Sequence, residues 1–176
     1  IGIVIMEVYR NIEPKNNFLK KVRKLCNKKN IVLIFDECTS GFRNNYGGLH
    51  LLYGVNPDLA MFGKAIGNGH AITAVIGKKK IMKSAKDSFI SSTFWGERSG
   101  YVAALTTLKE MKRIKSWKKI LSNGNYLIEE IKKLGKIHNL QIEFSGKPSF
   151  FSFNFDSKNN NKYKFLLIDY FLKRNI

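Results

Sequence analysis

Apolar positions along the chain switch between two periodicities, and the switches mark out its elements. Residues 1–7, Ile-Gly-Ile-Val-Ile-Met-Glu, and residues 31–35, Ile-Val-Leu-Ile-Phe, are almost unbroken apolar runs. They are too short for helices and too uniform for half-exposed strands, so each predicts a strand buried on both faces, as in a parallel sheet. Between them Phe18, Leu19, Val22, Leu25 and Cys26 recur at helical spacing with lysines on the opposite side, and Asn30 is placed to stop the helix. Strand, helix, strand in that order is a right-handed crossover between parallel neighbours of an open α/β sheet.

A glycine- and aromatic-rich stretch through Gly47, Gly48 and Tyr53 follows, and Asn56-Pro57-Asp58 turns the chain into a short strand over 59–62, ended by Gly63-Lys64. A flexible loop at 65–70 leads to a strand over 71–77, a short basic helix over 78–86 and a loop of small polar residues over 89–96. A long helix is predicted over 99–115, with Val102, Leu105, Thr106 and Met111 on its buried face. A further helix carries Ile120, Leu121, Leu127, Ile128, Ile131 and Leu134. Residues 141–145 and 149–155 then read as antiparallel strands around Gly146-Lys147-Pro148, and 162–173 as a closing helix. We place a domain boundary near Lys115, separating 1–115 from 116–176. The start in a β-branched run and the stop inside a helix-to-strand passage lead us to expect a fragment, marginal in folding because sheet neighbours are lost.

Composition narrows the class. With 176 residues, 44% of them apolar, the chain can fill the core of one domain, or of one domain and part of a second. No apolar run approaches the roughly 20 residues of a membrane-spanning helix, and residues 1–7 lack the basic start of a secretory signal. Cys26 and Cys38 offer neither a disulfide framework nor metal-ligand spacing, so no metal is expected and a reducing, cytoplasmic setting is. The net charge of +18 raises nucleic acid as a partner. Against it, the excess is mostly lysine spread over helices, arginine is scarce, and no aromatic-basic interleaving or nucleic-acid motif is present. Solvated helix faces are the simpler reading.

Asp36-Glu37 falls at the carboxyl end of a central strand and Lys64 at that of another, the edge where open α/β sheets place ligand chemistry. An aldehyde cofactor demands an amine to hold it, an anion beneath its pyridinium and donors for its phosphate. A lysine half-buried among Phe62, Gly63 and Ile66 would be costly to keep charged and therefore nucleophilic. A buried Asp36 requires a cation, and a protonated ring nitrogen would serve. Each residue alone also has a plainer reading, the lysine as a surface residue and the Asp-Glu pair as a helix cap. His70 reads as a loop residue rather than a catalyst, and His50 and His138 have no partner in sight. Glu97 could touch either substrate or a subunit interface.

Flanking residues join these signals. Ile34-Phe35-Asp36-Glu37-Cys38-Thr39-Ser40-Gly41-Phe42-Arg43 resembles the class-III aminotransferase signature in which a strand delivers Asp-Glu and then Gly-Phe-Arg. Residues 57–69, from Pro57-Asp58 through Gly63-Lys64 to Gly69, are similar to that family's lysine segment. Ser91-Ser92-Thr93-Phe94-Trp95-Gly96-Glu97 resembles its later Thr-Phe segment, especially in the glutamate-1-semialdehyde aminomutase-like branch, and Glu7 its glutamate at the end of an earlier strand. The order and spacing agree, most strongly over residues 2–111.

The resemblance implies an α/β fold: part of the large domain of the type I pyridoxal-phosphate (PLP) transferases, a mostly parallel sheet with helices, plus the start of a smaller α+β C-terminal domain. It implies pyridoxal 5'-phosphate as cofactor and amino-group transfer to or from a small amino-acid-like or amino-sugar-like molecule, as an aminotransferase or an aminomutase. Lys64 would be the Schiff-base lysine and proton carrier, and Asp36 the partner of the ring nitrogen. Cys38, standing where the family often has Val, would pack on the ring, and Thr39 would touch the cofactor as well. Thr93 would donate to the cofactor phosphate of a neighbouring subunit, which requires a homodimer. Glu37 and Arg43 would organise the strand end and the subunit contact. Val8 replaces the usual Pro, and the family's upstream phosphate loop and stacking aromatic are not represented, so the isolated chain is not expected to complete a site. The alternatives are a non-catalytic remnant that binds partners and, last, a basic nucleic-acid binder.

Overall fold

A computed structural model describes residues 1–176, which divide into two compact units, Ile1–Ile120 and Leu121–Ile176. The first is built on a four-stranded sheet. Strand β1 (Ile3–Glu7) leads through helix α1 (Phe18–Lys28) to β2 (Val32–Asp36), and β3 (Leu59–Phe62) and β4 (Ala74–Gly77) complete the order β1-β2-β3-β4. The first three strands are parallel neighbours and β4 runs antiparallel to β3. In this register Glu7 lies beside Asp36 and Asp36 beside Met61, so the carboxyl ends of three strands share one edge.

Helix α1 packs on β2 through Leu19 and Cys26, both buried, against the fully buried Leu33 and Phe35. Other positions of the apolar stripe, Phe18 and Leu25, are exposed. The expectation of strands buried on both faces fails for β1. It is an edge of the sheet, Val4 and Met6 on one face are half-buried, and Ile3 and Ile5 on the other are more than half exposed.

A single carboxylate ties α1 to the sheet. Asp58, buried just before β3, accepts hydrogen bonds from Arg23 Nη1 (2.7 Å) and the Leu33 amide (2.8 Å) and pairs with Lys78 Nζ (2.6 Å) after β4. Burial alone would raise its pKa, but the Leu33 amide, Lys78 and Arg23 outweigh burial and hold it at about 2.

Past β4, α2 (Lys79–Met82) and a 3-10 turn (Lys83–Asp87) precede residues 89–96, which form neither helix nor strand. Helix α3 (Arg98–Ile114) follows, but its inner face is not the predicted one. Gly100 and Ala104 are buried, and Leu108 packs near the Ala60, Phe62 and Ile66 cluster, whereas Val102 and Leu105 are about 60% exposed. Close approach decides the phase: a Cβ on Gly100 would stand 3.2 Å from the Ala71 carbonyl and 3.3 Å from Ile72 Cβ, so the small-residue side is the one that fits.

Lys115, in the left-handed region at φ 52°, breaks the path between α3 and α4 (Ser116–Ile137). Most of α4 belongs to the second unit, with the antiparallel hairpin β5 (Ile142–Ser145) and β6 (Ser152–Phe155) and helix α5 (Asn160–Leu172). Phe144, Phe153, Phe155 and Tyr163 form a chain of ring contacts with centroids 5.5–6.1 Å apart. No helix of the chain is long and apolar enough to cross a membrane.

Candidate active site

The site is assembled where β2 and β3 end. Asp36, the last residue of β2, is half-buried, and its Oδ1 accepts the Cys38 amide at 2.9 Å. This turn fixes the carboxylate at the sheet edge and sends the following residues across the end of β3. The Glu37 amide donates to the Met61 carbonyl at 2.8 Å, which carries the β2–β3 pairing one residue beyond the strand.

Glu37 itself points inward and is fully buried. Its carboxylate accepts the Ser40 hydroxyl, the His50 amide (2.8 Å) and His50 Nδ1 (2.8 Å). Burial would raise its pKa, but the bonds from His50 and Ser40 outweigh burial and draw it below the usual carboxylate value. His50 therefore has a partner, contrary to the sequence expectation. The pairing spans an irregular glycine-rich loop, for which no periodicity places one residue opposite another.

Lys64 follows the buried Gly63 and opens a 3-10 turn (Lys64–Ile66) at φ 44°. Its Nζ donates to Thr39 Oγ1 at 2.6 Å. The residue is exposed, not half-buried as expected, because it stands beyond the end of β3, where no element of the chain covers it. The burial argument for its nucleophilicity thus has no footing within this chain. Between the two strand ends lies Cys38, half-buried. Its thiol pKa is raised by burial, by the hydrogen bond and charge of Asp36, and opposed by the charge of Lys64. A Cβ on Gly63 would sit 3.4 Å from Cys38 Sγ and 3.4 Å from Thr73 Cγ2, so the backbone before Lys64 passes close against the Cys38 turn.

Asp36, Cys38, Thr39 and Lys64 are brought together, then, while Thr93 is not. It is exposed in the 89–96 segment, and no hydrogen bond or ion pair joins it to the other four. Glu97 accepts the Ser99 hydroxyl at the start of α3. His70 lines a separate cleft of about 400 Å³ with Asn68, Ser99, Val102 and Thr106. Glu7 is paired to Arg10 at 2.6 Å, and Arg43 keeps its Nε buried without a partner. No cluster of His, Cys, Asp or Glu could hold a metal ion.

An amine and a carboxylate at neighbouring strand ends, followed by the Gly67–Gly69 loop, match a known pattern along nearly the whole chain: the model of the family Aminotransferase class-III covers residues 11–173. The chain belongs to the class-III aminotransferases. Among curated relatives this class-III chain is 37% identical over 159 residues to 3-aminobutyryl-CoA aminotransferase of Cloacimonas acidaminovorans, covering 90% of the chain and 38% of that protein. It is 39% identical over 128 residues to glutamate-1-semialdehyde 2,1-aminomutase of Citrifermentans bemidjiense, covering 71% of the chain and 30% of that protein. Among solved structures, the PLP internal aldimine form of the FumI protein of Sphingopyxis sp. MTA144 superposes with a TM-score of 0.82 at 23% identity, over 90% of this chain and 40% of that one; at that identity the likeness speaks for the fold. An omega-transaminase from Sphaerobacter thermophilus superposes at 0.75 with 26% identity, over 86% and 36%. The chain thus spans well under half the length of these class-III relatives.

Proposed function

We propose that this chain carries the lysine-bearing part of a PLP site for amino-group transfer on a small amino-acid-like or amino-sugar-like molecule. The observation that carries the reading is the convergence of Lys64 and Asp36 around Cys38 at one sheet edge. The residues fit the group: a primary amine for an aldehyde carbon, a carboxylate for a protonated pyridine nitrogen, a thiol for an apolar ring face and the Thr39 hydroxyl as a donor. When bound, PLP supplies the electron sink that lets a C–H bond beside the substrate amine ionise. Lys64 Nζ is the amine that would hold the group, and as a free amine it would carry the proton removed from the substrate carbon. Asp36, its orientation fixed by the Cys38 amide, would hold the proton on the ring nitrogen. Thr39 keeps Lys64 Nζ aimed at the strand ends. Exchange between two molecules and movement of an amine within one require the same proton transfers at Lys64, so both reaction types named among the relatives are compatible with it.

Two copies pairing through α3 and the preceding segment complete the reading. Ile90, Phe94, Trp95, Val102 and Leu105 are more than half exposed there, and Thr93 stands among them, free to reach a second subunit.

The test is covalent. The full-length protein that carries this chain is incubated with PLP, reduced with borohydride and mapped by mass spectrometry. One dominant adduct at Lys64 is expected, lost in Lys64→Ala and weakened in Asp36→Asn; labelling spread evenly over the exposed lysines would sink the assignment.

A further inference from the structure

The chain's positive charge is not uniformly distributed. On α4 and α5 lysines sit beside carboxylates, with Lys132–Glu129, Lys133–Glu130 and Lys173–Asp169 paired at 2.6–2.9 Å. Helix α1 has no acidic residue at all. Its Lys20, Arg23, Lys24 and Asn27, spaced to share one face, line a crevice of about 390 Å³ whose other wall includes Asn56 and Lys78. No carboxylate lines it. Asp58, which pairs with two of the lining cations, is already engaged by Arg23, Lys78 and the Leu33 amide and holds those two cations in fixed positions. Arg23 Nε is buried beside the crevice with no partner, and Lys20 and Lys24 project from the helix unpaired. Four cations against one spent carboxylate leave a concave, strongly positive surface with two amide side chains to give direction.

We propose that this crevice binds a small anion bearing two or more phosphate groups. A lone carboxylate would leave most of the charge unbalanced, whereas a diphosphate brings several acceptor oxygens and a charge of matching size. Lysines serve here as point charges around a core that Arg23 and Lys78 pre-organise through Asp58, and Asn27 and Asn56 can donate from opposite walls. The surface lies on α1 and the 54–56 loop, elements distinct from the Asp36, Cys38, Thr39 and Lys64 group, and the proposal stands independently of the PLP reading.

Inorganic pyrophosphate is the probe, titrated into the chain by calorimetry at low ionic strength. Saturable one-to-one binding is expected, tighter than for orthophosphate and weakening steeply as salt is raised. K20E/K24E, both exposed positions, should weaken it by about tenfold or more while leaving the circular-dichroism spectrum and unfolding temperature in place. K132E/K133E on α4 should leave it unchanged. Undiminished binding in K20E/K24E, or an equal loss in K132E/K133E, would overturn the site, as would a DNA duplex that binds more tightly than pyrophosphate and cannot be displaced by it.

Discussion

Asp58 and Glu37 are buried carboxylates that do opposite kinds of service. Asp58 joins three segments through Arg23, Lys78 and the Leu33 amide; Glu37 braces the loop that carries the site through Ser40 and His50. Both have folded-state pKa values below their ordinary ones, so both stabilise the fold at neutral pH, and that contribution disappears as protons are added. For Asp58, held at about 2 against an ordinary 3.8, the stabilisation is complete above about pH 4 and is lost on acidification towards pH 2. One pKa unit is worth about 1.4 kcal/mol, so the loss amounts to about 2 kcal/mol. Asp58→Asn should therefore lower neutral-pH stability and flatten the stability profile between pH 4 and 2, measured by urea unfolding at a series of pH values; an equally steep profile in the variant would contradict the assignment. Glu37→Gln replaces an acceptor with an amide whose NH2 must face donors, and should cost about 2–3 kcal/mol, read from the same denaturant curves.

At the scale of elements, order and type were legible in the sequence while orientation was not. The runs at 31–35 and 59–62 became β2 and β3, and Asp36 and Lys64 reached the same sheet edge because β2 and β3 pair in parallel, joined by an irregular loop and a 3-10 turn, so that their carboxyl ends lie together. Helix α3 shows the gap. Its apolar residues occupy more than one face, so periodicity identified a helix but not its phase, and the contact went to Gly100 and Ala104 because only small residues allow the backbone that near Ala71 and Ile72. The exposure of Ile3, Ile5 and Lys64 has a related cause: what covers a strand face or a strand end is a property of neighbours, which a local pattern does not contain. His50 was missed because its bond to Glu37 crosses a loop with no repeat at all. The same contact logic predicts the weak point of the second unit. A Cβ on Gly124 of α4 would stand 1.9 Å from the Pro148 carbonyl oxygen, backbone that cannot rotate away. Gly124→Ala should destabilise that unit by about 1–3 kcal/mol despite its better helix propensity. Hydrogen exchange should report faster opening of β5, β6 and α5, with the β1–β4 amides little changed; unchanged exchange in the hairpin would refute the clash.

For the whole molecule, charge and apolar surface pull association in opposite directions. Copies that each carry +18 repel one another, and this opposes pairing most at low ionic strength, where screening is weakest. The exposed Val102 and Leu105 on α3, together with Phe94 and Trp95, offer the apolar contact that favours it. Pairing through this face should accordingly strengthen as salt is raised, the reverse of the salt response expected for pyrophosphate at the α1 crevice, so the two surfaces can be separated in one preparation. Sedimentation equilibrium from low to moderate salt should show the dimer fraction rising. V102E/L105E should hold the chain monomeric throughout while changing its own stability by no more than about 0.5 kcal/mol, since both side chains are already mostly in water in the single copy. A dimer fraction that falls with salt, or that survives both substitutions, would place the subunit contact elsewhere and leave Thr93 without a second subunit to reach.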